Sequence, residues 1–157
     1  MNQSRRMDPL LRRAQDHQDE VARDLAERQQ ALDTHLSRLA ELRRYAEEYS
    51  SEQMANAQMA ATSPAQLMNR RAFLDRLDSA VQQQSQTVER NREHVDTERA
   101  RLLLASRDKQ VLEQLAASYR AQEKQVVDRR DQREMDDLGA RRVRLAQIEA
   151  DGGGETP

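Results

Sequence analysis

The sequence predicts an all-α fold: two long helices in an antiparallel coiled-coil hairpin, the second overhanging the first. Three observations predict it. Apolar residues keep heptad spacing along two stretches of the chain. Neither Gly nor Pro interrupts residues 10–63 or residues 65–138. Charged residues make up 34% of the chain and aromatic residues 3%, with a mean hydropathy of -1.06. A compact domain of this size needs more large apolar residues for its core. Two helices that bury one narrow stripe do not.

The first seam runs from Leu11 through Gln18, Val21, Leu25, Arg28, Leu32, His35 and Leu39 to Tyr49, in alternating steps of three and four. A 3.5-residue period keeps a helix seam facing its partner as the two helices wind around each other. Asp8 followed by Pro9 reads as an N-cap and a first helical residue. Helix 1 is therefore expected over about residues 9–59, roughly 75 Å at 1.5 Å per residue. The connection lies in MANAQMAATSP, with the bend expected at about residues 60–63.

Ser63 followed by Pro64 repeats the start signal, and Gln66 stands where a capping box places its third residue. Helix 2 is expected over about residues 64–148, with residues 151–157 (DGGGETP) a disordered tail. Its seam runs from Leu67 through Leu74, Leu77, Val81, Val88, Val95, Leu102 and Ala116 to Val126. A short connection makes the helices antiparallel neighbours within a single hairpin. That register sets Tyr49 near Leu74 and Leu77, Leu25 near Leu102, and Leu11 near Leu112, and leaves everything after about Tyr119 unpaired. Past Val126 the next seam positions are Arg130 and Arg133, so the apolar seam stops there. A helix that is polar nearly all round is marginal alone and is ordered by a partner.

Composition excludes several function classes. Net charge is -2, from 26 basic and 28 acidic residues, without the basic excess of a general nucleic-acid binder. There is no cysteine, hence no disulfide framework and no thiolate metal site. No apolar run follows MNQSRRMD, so no signal peptide is expected, and no run of about 18 apolar residues suggests a membrane span.

Catalytic and metal sites are not expected either. No glycines cluster before the tail to cradle a phosphate. Carboxylates on a two-helix rod sit in water, where nothing tunes them for acid–base work. His17, His35 and His94 lack ligand spacing; a Glu-x-x-His pair would need Glu where Asn91 stands. The chain reads as a non-enzyme without cofactor that works by touching other proteins.

Two features bear on what it touches. Gln18, Arg28, Gln84, Asn91, Glu98 and Lys109 interrupt the seam. Polar seam residues restrict register, or stay open where a partner docks. Beside the seam, Phe73, Leu77, Ala80 and Gln84 form a second stripe at i, i+4, i+7 and i+11, with Tyr45 and Tyr49 across the hairpin. These aromatics either pack on one another and stiffen the tip, or form a docking patch.

The segments DPLLRRAQDHQDEVARDLAE, LRRYAEEYSSE, FLDRLDSAVQQQ and DQREMDDLGARR, in this order and at this spacing, resemble the FliJ family. FliJ proteins are coiled-coil accessories of the bacterial flagellar type III export ATPase. The resemblance implies an antiparallel helical hairpin similar to the central stalk of rotary ATPases. It implies three kinds of partner: the hexameric export ATPase, the export-gate membrane protein, and escort chaperones of export substrates. It implies gate binding by Phe73, Leu77, Ala80 and Gln84, the last departing from the family's histidine. It also implies a tip patch at Tyr45, Glu48 and Tyr49, and ATPase-ring contacts at Arg133, Met135 and Asp136. The cytoplasmic face of the inner membrane is the implied location. The competing expectation from the residues alone is a structural spacer or dimerising coiled coil with no ATPase link.

Overall fold

The computed structural model describes residues 2–59 and 63–153. All of these except Asn2, Ser63 and Gly153 are helical. Helix α1 spans Gln3–Met59 and helix α2 spans Pro64–Gly152, and the two pack against each other as a helical hairpin. The expected bend at residues 60–62 lies outside the described residues, as do residues 154–157 of the expected disordered tail. Asp151 and Gly152, also assigned to that tail, instead continue α2.

Helix α2 starts on local chemistry. The Ser63 carbonyl accepts the Leu67 amide at 3.1 Å, and the Ser63 hydroxyl oxygen accepts the Gln66 amide at 3.3 Å. One of the orphan donors of the first turn is thereby satisfied.

The contacts divide the chain into two units, residues 15–107 and residues 1–14 with 108–157. In the first, Val21, Leu39, Leu77, Val88, Val95 and Ala105 are buried. All six are seam positions. The cross-helix pairs Gln18–Ser106, His35–Gln84 and Tyr49–Phe73 show α1 and α2 running in opposite directions there. Two seam positions depart from expectation. Arg28 is exposed, because its long stem lets the guanidinium reach water beside Asp24 and Glu27. Leu67, in the first turn of α2, is 51% exposed.

In the second unit the core is Met7 and Ala116. Here the expected start of helix 1 is corrected. Helix α1 begins at Gln3 and Pro9 lies inside it, so Asp8 is no cap. Pro9 has no N–H, and the Arg5 carbonyl loses its partner. Packing outweighs that loss: continuing the seam backward from Leu11 by four and three gives Met7, 6% exposed, and Ser4, half-buried. The pairing of α2 is corrected with it and reaches Glu123 rather than ending near Tyr119. Val126 is 66% exposed and stands outside the packed seam, because α1 ends opposite Glu123.

Candidate interaction surfaces

The first surface lies near the bend, in the unit of residues 15–107. Phe73 projects from α2 into two α1 tyrosines. Its ring centroid lies 4.6 Å from that of Tyr49 at 60° and 6.4 Å from that of Tyr45 at 80°. Both are edge-on arrangements that set a ring edge against a neighbour's π face, worth about 0.5–1.5 kcal/mol each beyond their burial. Phe73 and Tyr49 are half-buried, whereas Tyr45 is 51% exposed and Glu48 is exposed. The aromatics therefore pack on one another and still present a face to solvent.

The stripe continuing from Phe73 is less open than its spacing suggests. Leu77 is 8% exposed and belongs to the core. Ala80 is half-buried. Gln84 is committed to α1: its side-chain amide donates to the His35 carbonyl at 3.0 Å and lies 3.2 Å from His35 Nδ1. That pairing gives His35 a polar partner across the seam. Gln18 does the same for its layer, donating to the Ser106 hydroxyl at 3.0 Å.

The second surface lies in the other unit. Every described residue after Glu123 is exposed. Val126, Val127, Met135, Leu138, Val143, Leu145 and Ile148 are each more than half exposed. Arg133 and Asp136 stand beside Met135, equally open.

Between α1 and this open stretch sits a clasp that the sequence reading did not anticipate. Glu123 Oε1 accepts the Ser4 amide at 3.1 Å and Glu123 Oε2 accepts the Ser4 hydroxyl at 2.6 Å. A carboxylate from α2 thus caps the first turn of α1, which has no acidic residue of its own. The positive end of the helix dipole favours that charge. The Ser4 hydroxyl, then its backbone amide, hold the Glu123 carboxyl below the ordinary glutamate value. The signal was available: the same three-and-four stepping that places Leu11 on the seam places Ser4 and Glu123 there too.

A recess lined by Asp24, Glu27, Arg28, Ala31, Glu98 and Arg101 is open and carries both charge signs. Among the described residues no group of His, Asp and Glu is arranged to hold a metal ion, and no helix is long and apolar enough to cross a membrane.

No curated protein and no solved structure matches the chain. The family model described as "Flagellar FliJ protein" matches residues 3–147, from the first residue of α1 to within the last turns of α2. That span includes the aromatic cluster, the clasp and nearly all of the open stretch. A two-helix chain with these surfaces and this match belongs to the FliJ family, whose members are non-catalytic proteins associated with flagellar export.

Proposed function

We propose that this chain is a cytoplasmic component of the flagellar export apparatus that links the export ATPase to the membrane export gate. The open stretch of α2, with Arg133, Met135 and Asp136 on it, engages the hexameric ATPase as a central-stalk-like element. The aromatic end of the other unit engages the export-gate membrane protein. The observation that carries the reading is the stretch after Glu123: a formed helix with seven large apolar side chains in water and none of the described residues covering them.

Burial divides the roles within the gate surface. Phe73, Ala80, Tyr45, Glu48 and Tyr49 offer atoms to a partner. Leu77 supports them from below, since its side chain is already enclosed. Gln84 reaches a partner only by giving up His35. Escort chaperones of export substrates complete the set of partners, and the inner-membrane face is the site of action.

ATP hydrolysis and hexamer yield of the flagellar export ATPase, with and without the chain, test the ATPase half. A rise in both is expected. No change, at concentrations where the ATPase alone is mostly monomer, removes the stalk role. Sedimentation then separates the remaining readings: a monomer leaves a gate or chaperone role, and a dimer returns the chain to a structural coiled coil.

A further inference from the structure

We propose that residues 3–8 of α1 are a detachable turn with a second helix start built in behind it. With the turn docked on α2, α1 begins at Gln3. With the turn lifted, α1 begins at Pro9 and Asp8 caps it. The device lies wholly within the unit of residues 1–14 and 108–157.

The docked turn is at odds with its own sequence. Pro9 stands inside α1, where it offers no N–H to the Arg5 carbonyl and its ring crowds that carbonyl. A residue before proline is pushed away from the helical region, yet Asp8 is helical. The first turn holds no acidic residue, and Arg5 and Arg6 stand there against the positive end of the helix dipole. What holds the turn comes largely from α2. Glu123 clasps Ser4 at 2.6 and 3.1 Å, and Met7 is enclosed at 6% exposure. Within α1 the Arg6 amide donates to the Asn2 carbonyl at 3.0 Å.

The lifted state removes each of these conflicts. An N-cap has extended backbone, the conformation that a residue before proline favours. Pro9 becomes the first helical residue, where a missing N–H leaves nothing unpaired. The Asp8 carboxylate, exposed in the docked state, accepts an amide of the new first turn, and its charge then faces the positive end of the dipole. Lifting gives up the clasp, the enclosure of Met7, and the helical bonds of the Arg6, Met7 and Asp8 amides. Gains on one side and losses on the other make this end of α1 an exchange between two defined starts. What the exchange alters is the reach of the pairing. When the turn lifts, Glu123 stands open beside the stretch that follows it, and the paired length of α2 shortens by about one helical turn.

Hydrogen exchange of the full chain at neutral pH, read amide by amide, tests this. In the lifted state the amides of Arg6, Met7 and Asp8 lose their carbonyl partners together, whereas those of Arg12 and Arg13 keep theirs on Asp8 and Pro9. Expected are protection factors that agree within about twofold at residues 6, 7 and 8, and stand about tenfold or more higher at Arg12 and Arg13. Protection that climbs evenly from 6 to 13, or is the same throughout, overturns the proposal. Asp8→Ala decides by its direction. In a helix with one start at Gln3, losing an acidic residue near the N-terminus lowers protection. With two starts it removes the competing cap, and protection at Arg6 and Met7 rises about three- to tenfold. Asp8→Asn, which still caps, stays within about twofold of the wild type. Pro9→Ala relieves the docked turn and raises protection there by more than about tenfold. Protection unchanged or lowered in Asp8→Ala or in Pro9→Ala overturns the second start, as does an Asp8→Asn variant that behaves like Asp8→Ala.

Discussion

Residues 15–107 and the unit of residues 1–14 with 108–157 are built from the same two helices and the same heptad logic, yet they bury it differently. The first encloses six apolar seam residues and ties two of its polar seam residues across the helices, Gln18 to Ser106 and Gln84 to His35. The second encloses Met7 and Ala116, closes with a clasp between Ser4 and Glu123, and then leaves a long helical stretch open. In one unit the seam is consumed by the fold. In the other most of it remains available. Stability and binding are therefore expected to separate along the chain. Changes at the enclosed seam of the first unit act on folding, and changes after Glu123 act on partners.

The largest effect tests that separation directly. Leu39→Ala removes a side chain that is 6% exposed, and is expected to lower stability by about 2–4 kcal/mol in urea unfolding. Leu145→Ala removes one that is 60% exposed, and is expected to stay within about 0.5 kcal/mol. Equal losses would mean that the open stretch is packed in solution and that the contrast is wrong. Phe73→Ala comes next. It removes both edge-on pairs, about 1–3 kcal/mol in the same measurement, together with tyrosine near-UV dichroism. If Phe73→Ala leaves stability and the tyrosine signal unchanged, the cluster is not formed in solution, and the aromatic residues serve binding alone.

A smaller change sharpens the role of polar seam residues. Gln84→Ala strips the His35 carbonyl of its cross-helix donor, and a loss of about 0.5–1.5 kcal/mol is expected. Gln84→Leu is the informative companion. If the pair holds register rather than adding stability, the leucine variant unfolds at higher urea concentration while hydrogen exchange shows more than one helix pairing. A more stable variant with a single pairing would leave the glutamine without a register role.

Most of the hairpin was legible before any coordinate, because a 3.5-residue period is a geometric demand that side-chain type alone reveals. Val21, Leu39, Val88, Val95 and Ala105 all fall where the seam puts them. The ends were harder. Pro9 is a strong local stop signal, and it hid the seam upstream of it. Met7 is buried only because α2 is there to cover it, a tertiary fact that propensity does not carry. The same holds at the other end, where the seam stops at Arg130 and Arg133 and the large apolar residues beyond it stand scattered among charged ones. The aromatic cluster was legible as a cluster. Its division into the enclosed Leu77, the half-buried Phe73 and the exposed Tyr45 was not, since burial depends on the rotation of each helix about its axis.

The smallest effect belongs to the clasp, and its sign follows from which state binds the proton more tightly. Glu123 is held below the ordinary glutamate value because the Ser4 hydroxyl and amide both bond its charged form. A carboxyl with a depressed folded-state value contributes stability that is fully present above its unfolded value of about 4.3. That contribution is lost as pH falls through the lower folded value. Protonation removes an acceptor from the Ser4 amide and the charge that faces the helix dipole. The first turn of α1 then frays, while residues 15–107 have no share in the change. The Ser4 amide resonance is therefore expected to titrate with a midpoint below the ordinary glutamate value, and amide exchange at residues 4–7 to quicken relative to its intrinsic rate. Glu123→Gln should show the frayed turn already at neutral pH and no titration. A wild-type turn that keeps its protection through this range, or a Glu123→Gln variant that titrates like the wild type, would show that Met7 packing alone holds the end of α1.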